Sequence, residues 1–475
     1  MAVASDLLSA FSTRYEQYLA DPAVEQELAR QKAAIFDKYG ASIRPVLTKS
    51  DGSLHFLSKY GSTHIVNVSP LRPSLLNTSF RNRDPVLDAR MHRILSKDGN
   101  PAMMPCVESF ALGTEYIAVS PLPEAGAGDL LNYLLDPNCE QRQLKAILTN
   151  LLYAVAYLHK VMHVAHLDIK PENVALGFLD QVILREFGYA QHVESADREA
   201  AKLEMLQRLE KNLQISGVAA TEIEKRKKKL LSGFNALYDK AAEMHRRVSA
   251  ILTAPSQQVD ALIRQLPPLT VPLSFFFRAT YQEMGFRYDA IHSIEGYSDP
   301  ENPTLSGTAL VNSFLAHLRH KYPEELDQKR ELAKYSATLK PGQSPKLYAL
   351  AVEPDSVVAP APISGLRGTL QYMCPALRAG EQVNPFAADV YSLGVVLFIV
   401  ATGFQPYTKV DERAFTQLQH GGVAHLLKCY GRPEAVHPTC LALLEKMMSF
   451  DPNKRPTIDE CIKEFSSVQL IPFAS

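Results

Sequence analysis

The chain has 475 residues, 46% hydrophobic and 21% charged, with a formal net charge of −1, enough material for two or three domain-sized units with a large core. That charge balance argues against a general nucleic-acid binder, because no surplus of cations exists to release counterions from phosphate, and leaves room only for a local basic surface. Six scattered cysteines (Cys106, Cys139, Cys374, Cys429, Cys440 and Cys461) contain no CxxC pair, which fits reduced thiols better than a disulfide framework or a zinc site.

The N-terminus lacks a cationic segment followed by an apolar run, and no apolar stretch approaches the roughly 20 residues of a membrane span. A cytoplasmic protein with no membrane partner is expected. Residues 5–38 read as helix, from Leu7, Leu8, Phe11, Tyr15 and Tyr18 at spacings of three and four, broken at Asp21-Pro22, where a second helix starts with proline in its first turn. Residues 42–69 switch to short apolar runs cut by Asp51-Gly52 and Gly61-Ser62; the run from Leu54 to Ser69 reads as a β-hairpin. A helix over 84–96 follows, then a strand pair, VESFAL and EYIAVS, joined at Gly113-Thr114.

Beyond Gly128 the pattern is mostly helical. Residues 144–161 and 387–402 are apolar on most sides and read as buried helices, and 438–465 holds two more. Between these lies a charged stretch, 191–360. Within it Leu230, Phe234, Leu237, Ala241, Met244, Val248 and Ile251 alternate spacings of four and three, a two-position apolar stripe. Leu203, Leu206, Leu209 and Leu213 form a shorter stripe before Ser216-Gly217. Two readings stand: a helical hairpin packed on itself or its host domain, and a partner-binding coiled coil. Residues 335–365 read as a linker. The KRKKK run at 225–229 has two readings as well, a solvated helix face and a nuclear-import patch.

The chemistry concentrates in HVAHLDIKPENVALGFLDQVILREFGYA, residues 163–190. It supplies an acid, Asp168; a cation, Lys170; an amide, Asn173; and, after a strand, a second acid, Glu186, before Phe187-Gly188. Phosphoryl transfer needs this set: a carboxylate to orient a hydroxyl, a cation for the migrating charge and oxygen ligands for magnesium.

These residues resemble the catalytic loop and metal-binding triplet of protein kinases, H-R-D-x-K-x-x-N followed by D-F-G. Downstream, GTLQYMCPAL (368–377) resembles the end of a kinase activation segment, with Thr369 at the substrate-facing threonine and Cys374-Pro375-Ala376 in place of A-P-E. Residues 388–407 resemble the family's central large-lobe helix, with Asp389 bracing the catalytic loop, and DPNKRPT (451–457) its closing motif, with Arg455 at the usual arginine. The resemblance implies an α+β, two-lobed kinase fold with a large helical insertion in the activation segment. Its parts are an N-terminal helical extension (1–40), a small lobe (41–120), a first large-lobe part (121–190), the insertion (191–360) and a second large-lobe part (361–475).

It also implies a serine/threonine branch, ATP and Mg2+ as cofactors, Asp168, Lys170, Asn173 and Thr369 as catalytic residues, and Asn173 with Glu186 as metal ligands. In the small lobe it leaves only Gly52 for a phosphate loop that should read G-x-G-x-x-G. Ser69 or Asn67 falls where a strand lysine belongs, and Asp88 where a helix glutamate belongs. Gly52, Ser69, Asp88 and Glu186 are therefore the cofactor-binding candidates, with Lys49 or Lys59 as substitute cations. Leu167 replaces the loop arginine, so order in the segment should not depend on phosphorylation. Ala376 removes the partner of Arg455, which should turn to another acid, Glu381, or to solvent. The resulting expectation is a pseudokinase or weak kinase that scaffolds or regulates a protein partner through 191–360, with an active kinase as the alternative.

Overall fold

The computed structural model describes residues 22–38, 47–48, 54–57, 64–70, 84–97, 102–113, 115–121, 128–136, 139, 141–177, 182–193, 198–215, 218–267, 298–304, six positions within 313–321, 362–407 and 412–470. The expected helix before Asp21, Gly52, Lys49, Lys59, the Ser216-Gly217 break and nearly all of the 335–365 linker lie outside the described residues.

A five-stranded antiparallel sheet runs in the order β1-β2-β3-β5-β4, built from Leu47–Thr48 (β1), Leu54–Leu57 (β2), His64–Pro70 (β3), Glu108–Leu112 (β4) and Glu115–Pro121 (β5). Strands β2 and β3 pair with Leu54 opposite Val68, and β3 with β5 with Ser69 opposite Tyr116. The period-2 pattern gives the sheet two apolar faces. On one, Val66, Val68, Ile117 and Val119 cluster with Phe36 and Leu28 of helix α1, Pro22–Lys38. Lys32–Glu115 (2.6 Å) and Lys38–Glu108 (2.7 Å) pin that helix at its edges. On the other, Tyr116 and Ala118 meet Val86 and Ala89 of helix α2, Pro85–Leu95. Asp84 caps α2 by accepting from Val86 and Leu87 N–H, with Pro85 at the first helical position.

The helical lobe is built around α4, Gln141–Tyr157, and α9, Pro385–Thr402, after the short α3, Leu130–Leu135. Helix α9 starts on an Asn384 cap with Pro385 behind it and stops at Gly403 (φ 76), where glycine takes the left-handed turn that closes a helix. Its 18 residues are apolar enough to cross a membrane by length and composition, which corrects the expectation that no stretch comes near a span. Burial inside the lobe explains the composition instead. Helices α11, Pro438–Met447, and α12, Ile458–Phe465, complete this core. Thr457 and Glu460 form a reciprocal capping box at the start of α12. Helix α10, Glu412–Cys429, kinks at Gly422 (φ 70); the sequence reading had no helix there.

Four short strands carry the loops: β6 (Val164–Ala165) pairs with β9 (Gln191–His192), and β7 (Val174–Leu176) with β8 (Val182–Leu184). Three helices follow: α5, Arg198–Ile215, α6, Ala220–Thr253, and α7, Ser256–Gln265. Helices α5 and α6 pack through Leu209, Leu213 and Ile223, while Phe234, Ala241, Val248 and Ile251 of α6 join the main core. The buried face of α5 is Ala201, Met205, Leu209 and Leu213. Leu203, expected in the stripe, is 59% exposed, because strict spacings of four select the row beginning at Ala201. Helix α8, Pro375–Arg378, lies at the start of the second large-lobe part.

Candidate active site

The loop from His166 to Asn173 is held from beneath by one buried carboxylate. Asp389 Oδ2 accepts the His166 N–H (2.7 Å) and Oδ1 the Leu167 N–H (2.7 Å), while His159 Nε2 lies 2.9 Å from Oδ2. A carboxylate can satisfy two amides at once, and burial makes each bond expensive to lose. Leu167 takes a left-handed φ of 62° and turns the chain so that Asp168 faces outward from this anchor.

Asp168, Lys170, Asn173 and Thr369 converge. Thr369 donates both its N–H (2.8 Å) and its hydroxyl (2.7 Å) to Asp168 Oδ1. Lys170 Nζ donates to Thr369 Oγ1 (2.8 Å) and lies 3.3 Å from Asp168 Oδ2. Asn173 Nδ2 donates to the Asp168 carbonyl (2.8 Å) and to Oδ2 (3.0 Å). Gly368 makes the approach feasible: its φ is +89°, and a Cβ there would collide with Leu167 O.

Glu186 also has a left-handed φ, 71°, which aspartate adopts more readily than glutamate. Its N–H donates to His92 Nε2 (3.3 Å), and His92 Nδ1–H donates to Met104 O (2.6 Å). Phe187 is fully buried between His92 (ring centroids 4.9 Å, edge-on) and His166 (4.7 Å). Burial holds the His166 pKa below the usual value, against the pull of Asp389 and Asp168. A neutral ring fits its contacts, since Nε2–H donates to Arg185 O (3.1 Å) and Nδ1 accepts from Asp168 N–H (3.3 Å).

The small-lobe side has different partners. Asn67 and Ser69 point to the α2 face of the sheet, as their register opposite Ala118 and Tyr116 requires. Asn67 Oδ1 is buried with no hydrogen-bond partner among the described residues. Asp88 lies 3.4 Å from His92 Nε2, one turn along its own helix. Burial opposes a charge on His92, but Asp88, the Met104 carbonyl and Glu186 raise its pKa above the usual histidine value. Arg185, next to Glu186, is committed to its neighbours: Nε and Nη2 donate to Glu172 O (3.0 and 2.6 Å), and Nη2 pairs with Asp129 (2.9 Å). The sequence reading missed His92 and Arg185. Their positions, four after Asp88 and one before Glu186, were the available signal.

Arg455 found neither the acid nor the solvent expected of it. It is buried, donates to the carbonyls of Ser449 (2.8 Å), Ala387 (3.0 Å) and Phe450 (3.4 Å), and lies over the Tyr391 ring at 5.0 Å. Carbonyl dipoles and an aromatic face supply the negative potential that the missing glutamate would have given.

The sequence model of the protein kinase domain matches residues 93–241 and 355–465, more than half of the chain. The chain belongs to the protein kinase family. A stretch of 109 residues is 28% identical to the serine/threonine-protein kinase PLK1 of Xenopus laevis, covering 22% of this chain and 17% of that protein. Another 109-residue match, 28% identical, is to the phosphorylase b kinase gamma catalytic chain, liver/testis isoform, of Mus musculus, over 23% of this chain and 26% of the relative. A 95-residue stretch is 33% identical to the striated muscle preferentially expressed protein kinase of Danio rerio, over 20% and 3%. The chain thus spans about a quarter or less of the relatives it matches. The family match begins inside α2, so β1–β3 lie outside it, on the side where the kinase motifs are missing.

Proposed function

We propose that this kinase-family chain acts mainly by binding, as a scaffold or regulator of a protein partner, with phosphoryl transfer weak or absent. One observation carries the reading: Asp88 faces His92 at 3.4 Å, while β3 offers Asn67 and Ser69 on that side and no lysine or arginine anywhere along it. In a working kinase a strand lysine bonded to the helix acid grips the nucleotide phosphates. With no cation on β3 itself, triphosphate loses one source of the electrostatic stabilisation that is nearly all the catalysis in this chemistry.

The donors present still suit a hard divalent cation in kind. Asn173 commits its amide nitrogen to Asp168, which leaves its oxygen as the natural ligand, and Glu186 keeps a carboxylate. Magnesium bound there would neutralise phosphate charge. A second reading, an active serine/threonine kinase with a rearranged ATP and Mg2+ site, draws on the convergence of Asp168, Lys170, Asn173 and Thr369. In it Asp168 orients the substrate hydroxyl and Lys170 stabilises the transferred group.

On the leading reading, residues 191–360 form a helical insertion in the activation segment, placed between Gly188 and Gly368, and supply the partner surface. The KRKKK lysines support the solvated-face reading: Lys227 pairs with Glu210 and Glu224, and Arg226 with Glu222. That fits a cytoplasmic location better than nuclear import. A thermal-denaturation titration with ATP and magnesium tests the proposal. No rise in midpoint at millimolar nucleotide supports a binding module. A magnesium-dependent rise of several degrees supports the enzyme.

A further inference from the structure

Arg90 and Arg93 of helix α2 and Lys97, just past its end, are cations spaced by three and four. All three engage the end of the α6–α7 unit. Arg90 is buried and donates to the carbonyls of Ile251 (3.1 Å), Leu252 (2.6 Å) and Ala254 (2.8 Å). These are terminal carbonyls of α6, which have no partner within the helix and carry the negative end of its dipole. The planar fork of a guanidinium suits such a cluster; a single ammonium does not. Arg93 pairs with Asp260 of α7, and Lys97 donates to Leu266 O (3.0 Å) and Pro267 O (3.3 Å). Ile251, Val259 and Leu266 are buried beside these contacts.

The same helix touches Glu186–Gly188 at two points. Its cap residue Asp84 donates its N–H to Gly188 O (3.0 Å), and His92 accepts from Glu186 N–H while packing on Phe187. Helix α2 is thus held between residues 251–267 and the Glu186–Gly188 turn. In kinases a lysine–glutamate pair across the small lobe locates this helix; here residues 251–267 and the Glu186–Gly188 turn both bond to it directly.

We propose that residues 248–267 are a built-in holder of α2, and that Arg90 is a positioning residue which, through His92, fixes the Glu186–Gly188 turn. This goes beyond the proposed function and does not depend on it, since a held turn serves an active cleft and a binding module alike.

Hydrogen exchange on the full chain tests it, comparing wild type with Arg90→Met and Arg90→Lys. The Glu186 amide is the reporter, because His92 is its acceptor. In Arg90→Met, peptides covering 248–267 and 184–190 should exchange on the order of 10-fold faster or more, while those of α9 keep their wild-type rates. Arg90→Lys should restore part of the protection. Loosening of 248–267 with 184–190 unchanged would overturn the coupling, and no change in either would overturn the clamp. A uniform rise that includes α9 would also count against it. If Arg90→Met does not fold, Asp260→Ala removes a half-exposed partner from the same contact; it should speed both segments in the same order, and unchanged rates in both would overturn the proposal.

Discussion

Thr369 gives Asp168 Oδ1 two hydrogen bonds, at 2.8 and 2.7 Å, although the two residues are 201 positions apart. The arrangement depends on Gly368 lying against the Leu167 carbonyl with a positive φ. Gly368→Ala adds both a backbone collision and a strained conformation, so it should cost about 1–3 kcal/mol, or more if the loop cannot shift. Urea denaturation measures the loss. Gly380→Ala is the control, since it has a positive φ but open space around it and should cost less.

His92 joins three partners: Met104 O, Glu186 N–H and Asp88. His92→Leu keeps the bulk but strands two backbone groups. A loss of about 2–4 kcal/mol follows from a desolvation penalty of roughly 1–3 per stranded buried group, partly relieved by water. Asp88→Asn should cost less than His92→Leu, because the imidazole keeps its other contacts. Equal losses, read by thermal unfolding, would mean that the Asp88 contact is the main interaction.

Asp389→Ala leaves two loop amides and His159 facing an apolar hole beneath Asp168. The expected loss is about 3–5 kcal/mol, the range for breaking a buried charged contact. Asp389→Asn, which can still accept one amide bond, should lose less. Chemical denaturation of both variants checks the ranking.

Acid should weaken the protein through two histidines that fold neutral. Burial lowers the His163 pKa to about 4 and the His192 pKa to about 3, with His245 adding to both; His192 also stacks on His245, with Nδ1–Nδ1 at 2.6 Å. The unfolded chain takes up those protons near the ordinary value of about 6.5. Their stability contribution is therefore complete above that pH and is lost as pH falls toward the folded values. His92 runs the other way: its raised pKa gives stability present in acid and lost as pH rises through the raised value. His192→Phe should flatten the acid side of the stability profile, and His92→Gln the alkaline side.

Much of this was legible in the residues. Asp168, Lys170 and Asn173 fall within six positions on one constrained loop, so their convergence needed only local geometry. Asp389 could be matched because its contacts are to backbone, which any sequence supplies. Arg455 was misjudged for the same reason: carbonyls can satisfy a guanidinium, and no side-chain pattern announces them. His92 was invisible because a buried histidine on an apolar helix face looks like core. The α2 clamp was hidden by distance along the chain, since Arg90 meets Ile251 only after the intervening helices fold back.

The most direct test of the account is transfer of labelled phosphate from ATP, with magnesium and then manganese, by wild type and by Asp168→Ala. A weak or absent catalyst predicts incorporation in wild type no higher than in the variant. Clear turnover by wild type that disappears in Asp168→Ala would contradict it and establish the active-kinase reading.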